Sequence, residues 1–116
     1  MLLKQAVIVA FGGALGALIR WRLSLLNAQA DFPLGTLSAN LIGCFVLGVV
    51  LGLLRPGSNT FLFLAAGLCG ALTTFSTFAH ELVSAKTLGA SAWYGLSSLL
   101  GGIVAVVGGL RLARLF

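Results

Sequence analysis

The stretch Gly70-Ala71-Leu72-Thr73-Thr74-Phe75-Ser76-Thr77-Phe78 lies inside an uncharged run from Pro56 to Ala79. The run is long enough to cross a bilayer, which takes about 20 mostly apolar residues. Yet Thr73, Thr74, Ser76 and Thr77 put four hydroxyls into five positions beside Gly70. β-Branched and hydroxyl-bearing residues weaken a helix. Non-helical backbone at membrane depth persists only where protein or a wet cavity satisfies its polar groups. The stretch alone leaves two readings open: an intact helix whose hydroxyls bond back to their own turn, or a helix broken near Thr73. We carry the break forward. Carbonyls freed by it would suit a hard monovalent cation, since broken helices coordinate such ions and no carboxylate stands nearby.

Outward from this stretch, the rest of the chain also demands lipid as its solvent. Of its 116 residues, 59% are hydrophobic and 8% charged, with a mean hydropathy of +1.13. A soluble domain carries roughly 25% charged residues. Further uncharged runs extend from Phe32 to Leu54 and from Thr87 to Leu110. The first segment, from Gln5 to Ile19, resembles a signal peptide behind Lys4. Because three more apolar segments follow, it is taken as a membrane helix that continues past Arg20 and Arg22 with those side chains snorkelling. The expected architecture is one all-α transmembrane domain over 1–116, with four helices at about 4–26, 34–54, 61–85 and 90–112. Asp31 with Pro33, Arg55-Pro56-Gly57-Ser58-Asn59, and Lys86 to Gly89 mark the turns between them. Gly12-xxx-Gly16 and Gly48-xxx-Gly52 carry the spacing that lets membrane helices approach closely.

The net charge of +5 is not a nucleic-acid footprint, because no basic run exists and the charges stand at the ends of apolar segments, as at membrane interfaces. Four spans put both termini on one side. That side holds Lys4, Arg55, Arg111 and Arg114, and the other holds Arg20, Arg22 and Lys86. A bias of four to three barely marks an orientation. A weakly marked single topology and insertion in both directions, with antiparallel pairing, both remain open on charge alone. Cys44 and Cys69 fall inside apolar segments without a redox or zinc spacing.

Polar groups inside a membrane are functional candidates by default. Thr36 and Asn40 are four apart and share a helix face, offering uncharged donors. Asn40 is the stronger functional candidate, whereas Ser38 is expected to bond its own helix. Phe75 and Phe78 share a face and alternate with hydroxyls, so they are either core or two rings presenting their positive edges to an anion. Arg20 is either an interface anchor or a vestibule charge that concentrates anions. Glu81 and His80 are expected to be solvated at a helix end. Trp93 and Tyr94 are expected at the interface, with Tyr94 and Ser98 on one face. No nucleophile–base pair or metal-ligand cluster suggests an enzyme.

These residues together resemble the Fluc (CrcB) fluoride channel family over nearly the whole chain. Gly12-Gly13-x-x-Gly16-Ala17-x-x-Arg20 resembles its first-helix motif, and Gly35-Thr36-Leu37-x-x-Asn40-x-x-Gly43 its second. Gly67-x-Cys69-Gly70-x-x-Thr73-Thr74-Phe75-Ser76-Thr77-Phe78 resembles its broken third helix. The resemblance implies an antiparallel, dual-topology homodimer in the cell membrane that exports fluoride passively through two pores. It implies Asn40 as the pore amide, with Phe75 and Phe78 lining the ion path. Thr36, Ser76, Thr77, Tyr94 and Ser98 would join the polar track, and Arg20 would stand in the vestibule. Carbonyls of Gly70 and Thr73 from both subunits would hold a structural sodium ion. Glu81 would match a family carboxylate past the break. The chain departs from the family pattern at Ala71, where a second glycine is common and alanine is strained if the break needs special torsions there, and at Gly102, where some members carry another hydroxyl, so the length of the polar track on the fourth helix stays open. The alternative function is a small dual-topology proton-coupled multidrug antiporter. Such a protein needs an intramembrane carboxylate, and Glu81 is expected near a helix end.

Overall fold

The computed structural model describes residues 1–116. Four apolar spans run Leu2–Gln29, Leu34–Leu53, Asn59–Ser84 and Leu88–Ala113. α1 (Leu2–Ser24) ends in a 3-10 turn over Leu25–Gln29. α2 is Leu34–Leu53. The third span consists of α3 (residues 59–72) and α4 (Phe75–Ser84), and α5 is Leu88–Ala113. At about 1.5 Å rise per residue, the 20 residues of α2 cover the roughly 30 Å hydrocarbon core. The chain is therefore a multi-pass membrane protein.

Glycine decides which helices meet. A Cβ at Gly12 or Gly16 would strike the backbone carbonyls of Phe63 and Leu68, so the α1 backbone lies directly on α3. A Cβ at Gly48 would strike the Val106 carbonyl, and one at Gly109 the Phe45 carbonyl, so α2 and α5 interlock in the same way. Without side chains between them, backbones approach closely and dispersion contact replaces the missing hydrophobic drive between helices in lipid. The α2–α5 and α1–α3 pairs form the two most extensive contacts in the fold.

Side chains cap the later turns. In the turn before α3, Gly57 has φ +84°, a conformation other residues seldom adopt. Ser58 Oγ accepts from the Phe61 N–H at 3.2 Å, and Thr87 Oγ1 accepts from the Ala90 N–H at 3.0 Å. These are N-caps of the usual kind. The middle of α3, Leu62–Cys69, is π-helical, and its end is marked by the Gly70 N–H reaching the Ala65 carbonyl five residues back.

Thr73 (φ −80°, ψ 151°) and Thr74 (φ −146°, ψ 120°) are extended, so the third span is interrupted where its hydroxyls cluster. The expected strain at Ala71 is absent. Ala71 lies in the helical turn Gly70–Leu72, and no residue other than glycine has a positive φ. The break is made one and two residues further on, in extended torsions that any residue adopts.

The molecule is a slab, 48 × 31 × 19 Å. Its short dimension holds no more than two helices, each about 10 Å across. Only 16 of 116 residues are buried, and large apolar side chains such as Phe11, Trp21, Leu99 and Val104 are exposed. The single chain has almost no interior, so its apolar faces must be covered by lipid or protein.

Candidate functional site: the helix break and its flanking cavities

The break exposes backbone that a membrane cannot solvate, and α2 supplies the remedy. Asn40 Oδ1 accepts from the Thr74 N–H at 2.7 Å, and its Nδ2 donates to the Thr74 carbonyl at 3.3 Å. In an unbroken helix the Thr74 N–H would bond the Gly70 carbonyl four residues back. That bond is given up to the carboxamide. Thr73 binds the Cys69 carbonyl twice, from its N–H at 3.1 Å and its Oγ1 at 2.9 Å. Thr74 Oγ1 then accepts from the Thr77 N–H at 3.2 Å and caps α4. Gly43 makes room, since a Cβ there would strike Thr73 Cγ2. An amide on one helix thus replaces the hydrogen bonds of one residue on another. Asn40 keeps one amide proton beyond this exchange, because its Nδ2 carries two.

Two cavities flank the break. One, of about 360 Å³, is lined by Asn40, Cys44, Phe75, Phe78, Ser98 and the Gly70–Thr74 region among others. Its lining contains no charged side chain. Ser98 Oγ is buried with no hydrogen-bond partner. The other cavity, of about 350 Å³, is lined by Arg20, Ser24, Thr36, Thr74 and Thr77, among others. Arg20 Nε is also buried and unpartnered. The neighbouring Arg22 instead lies over the Trp21 ring at 6.0 Å, the posture of an interface anchor. Thr74 lines both cavities, so the interrupted backbone is the wall between an uncharged chamber and a cationic one.

The two phenylalanines differ in setting. Their rings are 5.9 Å apart, but Phe78 is 8% exposed and Phe75 78%. Phe78 also packs against the Tyr94 ring at 5.2 Å, and Tyr94 meets the Phe32 ring edge-on at 5.4 Å. The pair is therefore half core and half open face. Ser76 is exposed, with its Oγ 3.3 Å from Thr74 Oγ1, and lines neither cavity.

Glu81 departs from the expectation of a solvated helix end, and Tyr94 is one of its partners. Tyr94 is 2% exposed, packed within the protein, and its hydroxyl donates to Glu81 Oε2 at 2.6 Å. Glu81 Oε1 accepts from Thr36 Oγ1 at 2.7 Å and from Asn27 Nδ2 at 3.1 Å. Asn27 also donates to Thr36 Oγ1 at 3.0 Å, and its Oδ1 accepts from the Gly35 N–H at 2.7 Å. A carboxylate expected in solvent instead gathers three donors from the α1–α2 turn, α2 and α5. A carboxyl group in a span needs hydrogen-bond partners from the protein itself. Asn27, treated as turn sequence, was missed. Its only signal was an amide in the stretch before α2, a residue type that readily accepts from a helix's first N–H groups, as it does from Gly35. The hydroxyls of Thr36 and Tyr94 are committed to Glu81, whereas Asn40, Ser98 and Thr77 line the two cavities.

The family described as CrcB-like protein, Camphor Resistance (CrcB), matches residues 7–110. A protein of Halobacterium salinarum named fluoride-specific ion channel FluC 1 is 42% identical over 104 residues, covering 87% of each chain. Fluoride-specific ion channel FluC 2 of Staphylococcus haemolyticus is 43% identical over 121 residues, covering 93% of this chain and 95% of its own. Fluoride-specific ion channel FluC of Thermococcus gammatolerans is 51% identical over 86 residues, covering 70% of each. With a match over nearly its full length and the broken third span in place, the chain belongs to the CrcB-like family.

Proposed function

We propose that this chain is a fluoride-specific ion channel. The names of its relatives give the ion, and one observation on the chain itself carries the reading. An uncharged chamber, lined by a carboxamide, an unpartnered hydroxyl and two aromatic rings, abuts a second chamber that holds an unpartnered arginine nitrogen. Fluoride is small and strongly hydrated, so a pore must replace its water with donors. Conduction also requires that those donors let go. The free amide proton of Asn40, the hydroxyls of Ser98 and Thr77, and the positive ring edges of Phe75 and Phe78 meet both conditions. Arg20 raises the anion concentration at the entrance without standing in the narrow part.

The working unit in this proposal is an antiparallel homodimer. A slab 19 Å thick encloses no path on its own. Phe75 is 78% exposed although it borders the chamber, which leaves one wall to a second copy. The near-equal Lys/Arg count at the two ends fits insertion both ways. Gly70 is exposed in mid-span, and its carbonyl lacks the Thr74 partner. Gly70 and Thr73 carbonyls therefore suit a sodium ion shared between copies, and such an ion would join the two broken helices. No carboxylate clusters there to favour a divalent ion. Exchanging sodium for choline should lower the melting temperature of the dimer, and an unchanged melting temperature would remove the ion from the proposal.

Liposomes holding the purified protein and potassium fluoride test the function. After addition of valinomycin, a fluoride electrode should record fast release, and chloride-loaded liposomes should retain their anion. No release above empty liposomes, from protein shown to be folded, would refute the channel. Release driven by a proton gradient and lost in Glu81→Gln would favour an antiporter.

A further inference from the structure

Beyond Asn40, the uncharged chamber continues along one face of α2 to a residue that no step above uses. Cys44 lies four residues after Asn40 and so shares its face. It lines the same chamber as Asn40, Phe75 and Ser98. On α5, the position four residues after Ser98 is Gly102, which has no side chain to offer. A Cβ built at Gly102 would stand 3.5 Å from Cys44 Sγ. That is ordinary van der Waals contact, so the Cys44 thiol lies directly beside the point from which a side chain at position 102 of α5 would start.

We infer that Cys44 is a donor of the ion path, one turn beyond Asn40, and hence a site at which thiol-directed reagents block the channel. This rests on the functional reading above. The physical ground is that an S–H is an uncharged donor, weaker than a hydroxyl, and so binds an anion without trapping it. Cys69 borders the chamber too, but it is 3% exposed, whereas Cys44 is only half-buried, so Cys69 is expected to be the inert packed thiol. A thiol reacts as its thiolate, and burial in apolar surroundings suppresses that form. Ready labelling of Cys44 at neutral pH thus reports contact with water.

The test uses methyl methanethiosulfonate on the reconstituted protein. The Cys44 thiolate attacks the divalent methylthio sulfur of the reagent, and the bond from that sulfur to the sulfonyl group breaks. A methyl disulfide forms, methanesulfinate leaves, and the thiol proton goes to solvent. In a Cys69→Ala background, mass spectrometry should find Cys44 labelled, and fluoride release should fall about ten-fold or more, as expected of a plugged path. Cys44→Ala should itself slow release roughly five-fold, the worth of one neutral hydrogen bond. Adding Gly102→Ser to Cys44→Ala should restore much of that loss by returning a hydroxyl to the vacated place. Labelling of Cys44 without loss of release, or absence of labelling, would overturn the inference. Full release from folded Cys44→Ala would do the same. Failure of the unmodified protein to release fluoride would instead sink the channel reading, while labelling would still report whether Cys44 meets water.

Discussion

Asn40 and Glu81 show how single side chains make polar chemistry tolerable in lipid. Asn40 returns both hydrogen bonds to the Thr74 backbone. Either group left bare in hydrocarbon costs several kcal/mol. Glu81 is held by donors from Asn27, Thr36 and Tyr94. In Glu81→Gln an amide nitrogen replaces the carboxylate oxygen that faces Tyr94; the phenol can turn to accept from it, but the remaining bonds lose the strength a carboxylate gives them. The variant should melt at a lower temperature, with a loss of about 1–3 kcal/mol. An unchanged melting temperature would show that Glu81 is not structural. Asn40 stood out in the sequence because an amide deep in a span has few idle explanations, but its bonds to the Thr74 backbone were not legible there. The Glu81 network was not. Its members are 45 and 54 residues apart in the chain, and helical periodicity carries no information across such separations.

The third span is the element on which the architecture turns. Its interruption was readable because hydroxyl and β-branched residues crowd positions 73 to 77, a local property of the sequence. The torsions that make the break were not readable. Ala71 suggested strain, but the chain keeps that residue helical and bends through extended Thr73 and Thr74. Ala71→Gly should therefore bring no relief. It should cost about 1 kcal/mol, the ordinary penalty of glycine in a helix, read as a lower melting temperature. A stabilised variant would place strain at Ala71 after all. The glycine seams were only half legible. The spacing of Gly12 with Gly16 and of Gly48 with Gly52 announced close approach. Their partners, α3 for the first pair and α5 for the second, emerge only from the folded packing.

At the scale of the whole molecule, four spans and a membrane setting followed directly from composition, because charge is too scarce to cover a soluble surface. What covers the thin slab is a matter of assembly. If two copies pair antiparallel, the cell must insert the chain in both directions, and the nearly balanced Lys/Arg count permits it. Ser58→Lys with Asn59→Lys adds two charges to the end that already holds Lys4, Arg55, Arg111 and Arg114. The variant should insert one way and lose fluoride release. Co-expression with a copy given extra lysines at the opposite end should restore it. Full release from the singly oriented variant would contradict the antiparallel assembly.

The central claim is that the chamber beside the helix break, with Asn40 at its wall, is the path of the anion. Fluoride release from liposomes containing Asn40→Asp, measured beside the unaltered protein and with both shown to be folded and of the same oligomeric state, tests this most directly. A carboxylate there sets a negative charge against the anion within a few ångströms. The expected result is release indistinguishable from empty liposomes. Release at the unaltered rate would mean that fluoride crosses elsewhere and that Asn40 serves only to mend the broken helix.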